Sequence, residues 1–317
     1  MLSRVASNIY WFGRHVERSE STARMVSVHA NLLLDMPRKV QFGWAPLIAI
    51  TSSEDSFQQI YKELDEPSVV RFLLVDERNP GSIIASLRQA RENLRTTRDS
   101  LPREVWEQVN DLYLFVREQG DRPVSRRYRQ VFLDRVIRTS QQLVGLIASI
   151  TSRDDAFNFI RLGYNVERAD MTTRILDIRS ESLLTVRNEE LMPFQNIQWM
   201  SLLKSLSAYQ MYRRHVRMRV SGELALKFLL QNDAFPRSAM FCFNRIEAGL
   251  KRLPHHRECL AAQRRLTQKV AQADVEALVQ SGLRAFLDDL QLDLAELHSL
   301  ISRSYFQPET APESSPA

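Results

Sequence analysis

The first 33 residues place Leu2, Val5, Ile9, Phe12, Val16, Ser19, Ala23, Val26, Ala30 and Leu33 at alternating steps of three and four, which keeps them on one helix face. A seam this regular, interrupted only by Ser19, predicts a long helix over about 3–34 packed lengthwise against neighbours. Asp35, Pro37, Phe42 and Gly43 break the pattern. Short helices are expected over roughly 53–64 and 68–75, after which Asn79, Pro80, Gly81 and Ser82 signal a longer helix with the seam Ile83, Leu87, Ala90, Leu94, Thr97 and Leu101. Further helices are predicted over about 102–118, 126–150, 156–182, 197–220, 223–231, 237–252, 258–282 and 283–305, with Ser152, Asp154 and Asp155 supplying caps for the one at 156. The fold class is therefore all-α, a helical bundle.

Composition sharpens this reading. Glycine accounts for 9 of 317 residues, well below the ordinary share of about 7%, and hairpin dipeptides are few. Cys242 and Cys259 resemble neither a disulfide framework nor a metal-ligand pair, so a reducing compartment is expected. The chain opens on a polar amphipathic pattern and has no long apolar run, so the expectation is a cytoplasmic protein without a secretory leader or membrane span. The formal charge of +5 would permit nucleic-acid binding, but most arginines sit three or four positions from acids and no recognition motif accompanies them.

Shifting the sequence by 150 residues aligns 8 identities across the 19 positions from 6 to 24: Ala6, Asn8, Gly13, Val16, Glu17, Arg18, Thr22 and Arg24 match Ala156, Asn158, Gly163, Val166, Glu167, Arg168, Thr172 and Arg174. Glu20 faces Asp170 with its charge kept. Two diverged repeats offset by about 150 residues are the economical explanation, giving half-repeats 1–150 and 151–306 and a disordered tail over 307–317. Packing alone would preserve the apolar seam, yet the retained residues are mostly polar or glycine. Gly13 and Gly163 lie mid-helix, where each costs about 0.5–1 kcal/mol relative to alanine. Close approach by another helix or by a ligand would explain them.

Gly13, Glu17, Glu20 and Arg24 share one helix face, as do Gly163, Glu167, Asp170 and Arg174. Arg88, Arg91, Arg95 and Arg98 form a ladder of complementary sign on the helix after Ser82. The candidate polar site is therefore Glu17, Arg18, Glu20, Arg24, Glu167, Arg168, Asp170 and Arg174 with Arg88, Arg91 and Arg95, the long helices lying side by side and the ladder reaching the glutamates. Two readings stay open: the charges neutralise one another across helix contacts, or they line a cavity for an anionic or peptidic ligand. A carboxylate-bridged metal centre would need Glu-x-x-His pairs, which both copies lack, so no metal or cofactor is expected. Phosphate loops, dinucleotide fingerprints and nucleophile elbows are also missing from the sequence. His255 and His256 read as solvated turn residues, and the Tyr209, Tyr212, Arg213, Arg214 and Phe241, Phe243, Arg245 groups as packing.

The segment 1–24, MLSRVASNIYWFGRHVERSESTAR, resembles the opening of the bacterial alpha-E domain family. The similarity continues through NPGSIIASLRQARENLRTTRD at 79–99, GLIASITSRDDAFNFIRLGYNVERADMTTRILDIR at 145–179, SAYQMYRR at 207–214 and FPRSAMFCF at 235–243. The resemblance implies helices bearing a characteristic glutamate, here Glu17 and Glu167, in proteins encoded beside circularly permuted ATP-grasp ligase-like proteins and often a transglutaminase-like protease. It implies a helical partner or accessory subunit of an amide or peptide ligase system. The alternative is an independent enzyme using Glu17, Glu20, Glu167 and Asp170 as acid and base or as metal ligands.

Overall fold

A computed structural model describes residues 1–36, 43–120, 122–185 and 194–307, and among them there are fifteen α-helices and no strand. In chain order they are α1 (Ser3–Asp35), α2 (Ala45–Ile50), α3 (Glu54–Ile60), α4 (Glu66–Leu74), α5 (Ile83–Arg95), α6 (Arg103–Gln119), α7 (Arg126–Ile150), α8 (Asp155–Thr185), α9 (Gln195–Ser205), α10 (Tyr209–Val216), α11 (Gly222–Gln231), α12 (Ala239–Leu250), α13 (Arg257–Ala271), α14 (Val275–Gln280) and α15 (Leu283–Tyr305). The two long helices α1 and α8 pack against each other at the centre. Helices α5 and α7 cover α1 and are joined by α6, while α12 and α15 cover α8 and are joined by α13. The duplication itself remains an inference from the identities; the packing contributes this parallel arrangement of covering helices. Among the described residues no helix is long and apolar enough to cross a membrane.

The seam of α1 accounts for only part of its burial. Ile9, Phe12, Val16, Ala23 and Val26 are enclosed as expected, but so are Tyr10, Gly13, Glu17, Glu20 and Met25 around the cylinder. An amphipathic stripe predicts one dry face, whereas α1 is surrounded by α5, α7, α8 and α9. Leu2, at the end of the seam, is exposed.

Several boundaries follow local chemistry. Asp154 caps α8 by accepting from Phe157 N at 3.2 Å, and Ser82 and Ser238 cap α5 and α12 by accepting from Ala85 N and Phe241 N at 3.2 and 3.1 Å. The helix expected over 197–220 is two, α9 and α10, because Ser207 adopts φ 55° and turns the chain between them. That expected over 258–282 divides at Asp274, whose carboxylate caps α14 through Ala277 N. The helix begun at Ser82 stops at Arg95, and Arg98–Ser100 form a single 3₁₀ turn. Helix α2 was not expected and falls between the break at 35–43 and the helix expected from 53: Pro46 sits in its first turn, where proline suits a helix start, and Leu47, Ile48 and Ile50 are buried. Pro37 and Phe42 of that break, and the expected tail after Gln307, lie outside the described residues.

The glycines set the spacing at the centre. A Cβ on Gly13 would overlap the carbonyl oxygen of Ile160 and lie 3.2 Å from Tyr164 N, while one on Gly163 would overlap the carbonyl oxygen of Tyr10 and lie 3.2 Å from Arg14 N. Each glycine thus meets the backbone three residues before the other. Of the two explanations for these residues, helix packing is the one realised. Gly163→Ala should therefore cost about 3 kcal/mol or more despite alanine's better helix propensity, because backbone must move. Gly145, mid-helix in α7 with nothing within 4 Å of its would-be Cβ, is the internal control. Gly145→Ala should leave stability unchanged or raise it by about 0.5–1 kcal/mol in urea denaturation; equal effects at both positions would contradict the crossing.

Candidate functional site

Where α1 and α8 cross, each Glu-Arg dipeptide reaches for the other. Arg18 holds Glu167 with two parallel bonds, Nε to Oε1 at 2.5 Å and Nη2 to Oε2 at 2.9 Å. Arg168 holds Glu17 in the same way, Nε to Oε1 at 3.1 Å and Nη2 to Oε2 at 2.6 Å. Both carboxylates are buried, Glu17 at 0% and Glu167 at 1% exposure. Desolvating a carboxylate is costly unless several charged donors replace its water, and a planar guanidinium fork supplies two at once.

Each glutamate takes a further guanidinium from a different source. Arg14 donates Nε to Glu167 Oε2 at 2.7 Å from one turn earlier on α1. Arg237, in the turn before α12, donates Nη1 to Glu17 Oε1 at 2.7 Å and its Nη2 to Glu20. Aligning Pro80-Gly81-Ser82 with Pro236-Arg237-Ser238 places Arg237 against Gly81, and Arg14 falls against Tyr164. The first half thus supplies its additional arginine from the long helix and the second from the turn. Thr172 steadies that turn by donating Oγ1 to the Arg237 carbonyl at 3.0 Å. Glu20 is also held by Arg24, Asp170 by Arg174 at 3.0 Å, and Arg179 meets the imidazole of His29 at 2.7 Å, again 150 positions apart.

The electrostatics follow from this arrangement. Burial pushes the Glu20 carboxyl upward, but Arg237 and Arg24 outweigh it and leave the group at about 2. Burial and the opposing pull of Arg18 and Arg14 likewise leave Glu167 at about 2. Asp170 differs: burial, only partly answered by Arg174 and reinforced by Glu167, raises it above the usual carboxylate range.

The expected arginine ladder is elsewhere. Arg88 pairs with Glu77, Arg91 donates to Asn110 at 2.7 Å and pairs with Glu92, Arg95 also binds Glu92, and Arg98 lies over the Trp106 ring at 4.6 Å. The ladder stands on the far side of α5, toward α6, so the offset from its seam pointed it away from α1. Arg237 occupies the role assigned to it. The sequence signal available was the Pro-Arg-Ser triplet opposite Pro-Gly-Ser; periodicity within a helix could not reveal a turn residue.

Sequence reasoning read His255 and His256 but passed over the histidines enclosed by the bundle. On α1, Trp11 stacks on His15 at 5.6 Å, and Tyr10 Oη lies 2.9 Å from His298 Nδ1 of α15. Burial and then Arg18 hold His15 down at about 4, burial and Arg179 hold His29 at about 3, and burial and Arg14 hold His298 at about 4. His255, by contrast, is an exposed turn residue with φ 52°. Cys242 and Cys259 are buried free thiols. Among the described residues no three His, Cys, Asp or Glu side chains are grouped so as to hold a metal ion.

The chain matches, over residues 1–306, the model of a family described as a predicted alpha-helical domain with a conserved ER motif. It belongs to the Alpha-E family. Glu-Arg dipeptides occur at 17–18, 77–78 and 167–168, and the first and last of these make the crossing. Uncharacterised proteins of Mycobacterium bovis and of two Mycobacterium tuberculosis strains are each 25% identical over an alignment of 324 positions, covering 93% of this chain. The chain spans about a third of the length of these relatives, 35% in each. No solved structure matches it.

The Alpha-E crossing should be sensitive to acid in two stages. His15, His29 and His298 are held neutral in the fold, so below about pH 6.5 the unfolded chain takes up their protons first and stability falls, by up to about 1.4 kcal/mol per pH unit for each. Glu20 and Glu167 are held ionised, so their contribution is complete above about pH 4.5 and is lost on descent toward about 2. Asp170 acts in the opposite sense. Urea midpoints should decline from pH 6.5 to 3, and His298→Asn should flatten the upper limb; a midpoint constant down to pH 4.5 would contradict the buried neutral histidines.

Proposed function

We propose that this Alpha-E chain is a helical partner, non-catalytic or co-catalytic, of an ATP-grasp-type amide or peptide ligase. The supporting observation is that the carboxylates at its centre are committed to arginine: Glu17, Glu20, Glu167 and Asp170 each hold a guanidinium. Acid–base catalysis by paired carboxylates needs one group held protonated and another free near the reacting atom. Asp170 has the raised affinity for protons, but Arg174 engages it and Glu167 beside it is bound by two arginines.

The ligase comes from the resemblance in the Glu-Arg helices and their flanking motifs, which links such chains to circularly permuted ATP-grasp ligase-like proteins and to transglutaminase-like proteases. In the mycobacterial relatives the matching part is joined to about twice its own length of other sequence, which supports a module working beside other domains. A cytoplasmic location belongs to the same proposal, since such ligases consume ATP. The charged stripes then serve as the rigid frame that fixes α1 against α8, leaving outer surfaces to the partner.

Mixing the purified chain with the ATP-grasp ligase-like protein of the same genome tests this reading. Co-elution at micromolar concentration and a several-fold change in ligase ATP turnover are expected. Separate elution with unchanged turnover would end the proposal. Turnover of a small amide or peptide by this chain alone, abolished by Asp170→Asn, would favour the independent enzyme.

A further inference from the structure

A cavity of about 540 Å³ opens between the C-terminal part of α7, the first half of α8 and the two ends of α12, within the range of small-molecule sites. Arg153, Arg161, Arg168 and Arg252 line it, and no acidic side chain does. Arg168 is engaged from behind by Glu17, but among the described residues Arg153, Arg161 and Arg252, and Arg245 next to them, make no ion pair. Around Glu17 and Glu167 each buried carboxylate and guanidinium has a counter-charge, whereas these cations, of which Arg153, Arg245 and Arg252 are exposed, have none.

The cations are organised rather than scattered. Arg153 lies over the Phe157 ring at 4.0 Å and Arg161 over the same ring at 5.5 Å, so one aromatic side chain holds two guanidiniums. Arg153 is further fixed by donating to the carbonyls of Ala148 at 2.5 Å and Thr151 at 3.3 Å. Arg161 is half-buried, and burial together with the repulsion of Arg245, Arg153 and Arg252 holds its guanidinium below its ordinary value. Tyr164 also lines the cavity; it is 8% exposed, and its hydroxyl has no hydrogen-bond partner.

From this juxtaposition we infer that the cavity binds a small, multiply charged phosphate compound of the oligophosphate or nucleotide class. Several uncompensated guanidiniums within one cavity call for dense negative charge. A phosphate chain carries three or four charges within a few bond lengths and accepts planar bidentate donors, whereas each carboxylate of a peptide brings one. The volume exceeds what a single phosphate needs, and Val144, Ile147 and Ile160 provide an apolar wall for a flat or aliphatic remainder. Contact with Arg168 would place the ligand one side chain away from Glu17 and the crossing of α1 and α8. The inference goes beyond the ligase-partner reading and does not rest on it.

Calorimetric titration of the full chain with tripolyphosphate, ATP, inorganic phosphate and citrate at fixed ionic strength tests the site. One-to-one binding of tripolyphosphate or ATP is expected, with inorganic phosphate and citrate at least tenfold weaker. Equal affinity for tripolyphosphate and ATP would assign recognition to the phosphate chain alone, and tighter ATP would bring the nucleoside onto the apolar wall; both support the site. Arg161→Gln and Arg252→Gln should each weaken binding tenfold or more, while Arg88→Gln, which alters an exposed arginine paired with Glu77, should not. Without ligand, Arg161→Gln should melt no lower than the parent chain, because it relieves like-charge repulsion, so loss of binding is separable from loss of fold. Absence of binding, equal binding of citrate, or affinity undiminished by both cavity substitutions would overturn the inference.

Discussion

The structure depends on keeping two glutamates ionised at its centre. Glu17 and Glu167 sit where two 30-residue-scale helices cross, without access to water, and each has been given enough guanidinium donors to replace the hydration it lost. Such an arrangement is weak as a source of net stability, since desolvating all the partners offsets much of the attraction. Its strength is specificity. A helix pair held only by an apolar seam can slide by a turn at modest cost, whereas a slip here would leave charges buried and alone. The glycines serve the same end, because only without Cβ atoms at 13 and 163 do the backbones come near enough for a Glu on one helix to meet the Arg of the other.

From that crossing the remainder of the bundle can be ordered outward. Helices α5 and α7 close over α1, α12 and α15 close over α8, and the turn before α12 sends Arg237 inward to the cluster. The same demand for compensation makes the α7–α8–α12 cavity conspicuous. Arg168 faces both regions: its one side answers Glu17, and its neighbours on the other side have no such answer. Charge is balanced around Glu17 and Glu167 and left positive along the cavity beside them, which distinguishes a frame from a receptive surface.

Much of this was legible beforehand because helical periodicity is a strong signal in long elements. The bounds of α1, α7 and α15 fall within a residue or two of the pattern, and the residues kept between 6–24 and 156–174 identify the crossing correctly. Where periodicity runs out, so does the reading. Ser207 bends an otherwise continuous pattern, Pro46 opens a helix too short to show a period, and Arg237 acts from a turn, where helical spacing gives no signal. The ladder of Arg88, Arg91, Arg95 and Arg98 was assigned by sign and spacing alone, but spacing fixes only the face relative to its own helix. Which neighbour that face meets is decided by packing, and α6 offered Asn110 and Trp106. The buried histidines escaped because a lone His on a polar helix face looks the same in sequence whether it is wet or dry.

The central claim is that Glu17 and Arg168 form a desolvated pair whose members are tolerable only together. A double-mutant cycle in chemical denaturation measures this directly. Glu17→Ala and Arg168→Ala should each cost about 3–5 kcal/mol, since each strands a buried partner. The double variant should cost less than their sum by about 2 kcal/mol or more, as the second substitution removes the charge exposed by the first. Costs that add to within about 0.5 kcal/mol would mean that the two side chains act independently, and would contradict the crossing as the element on which the fold depends.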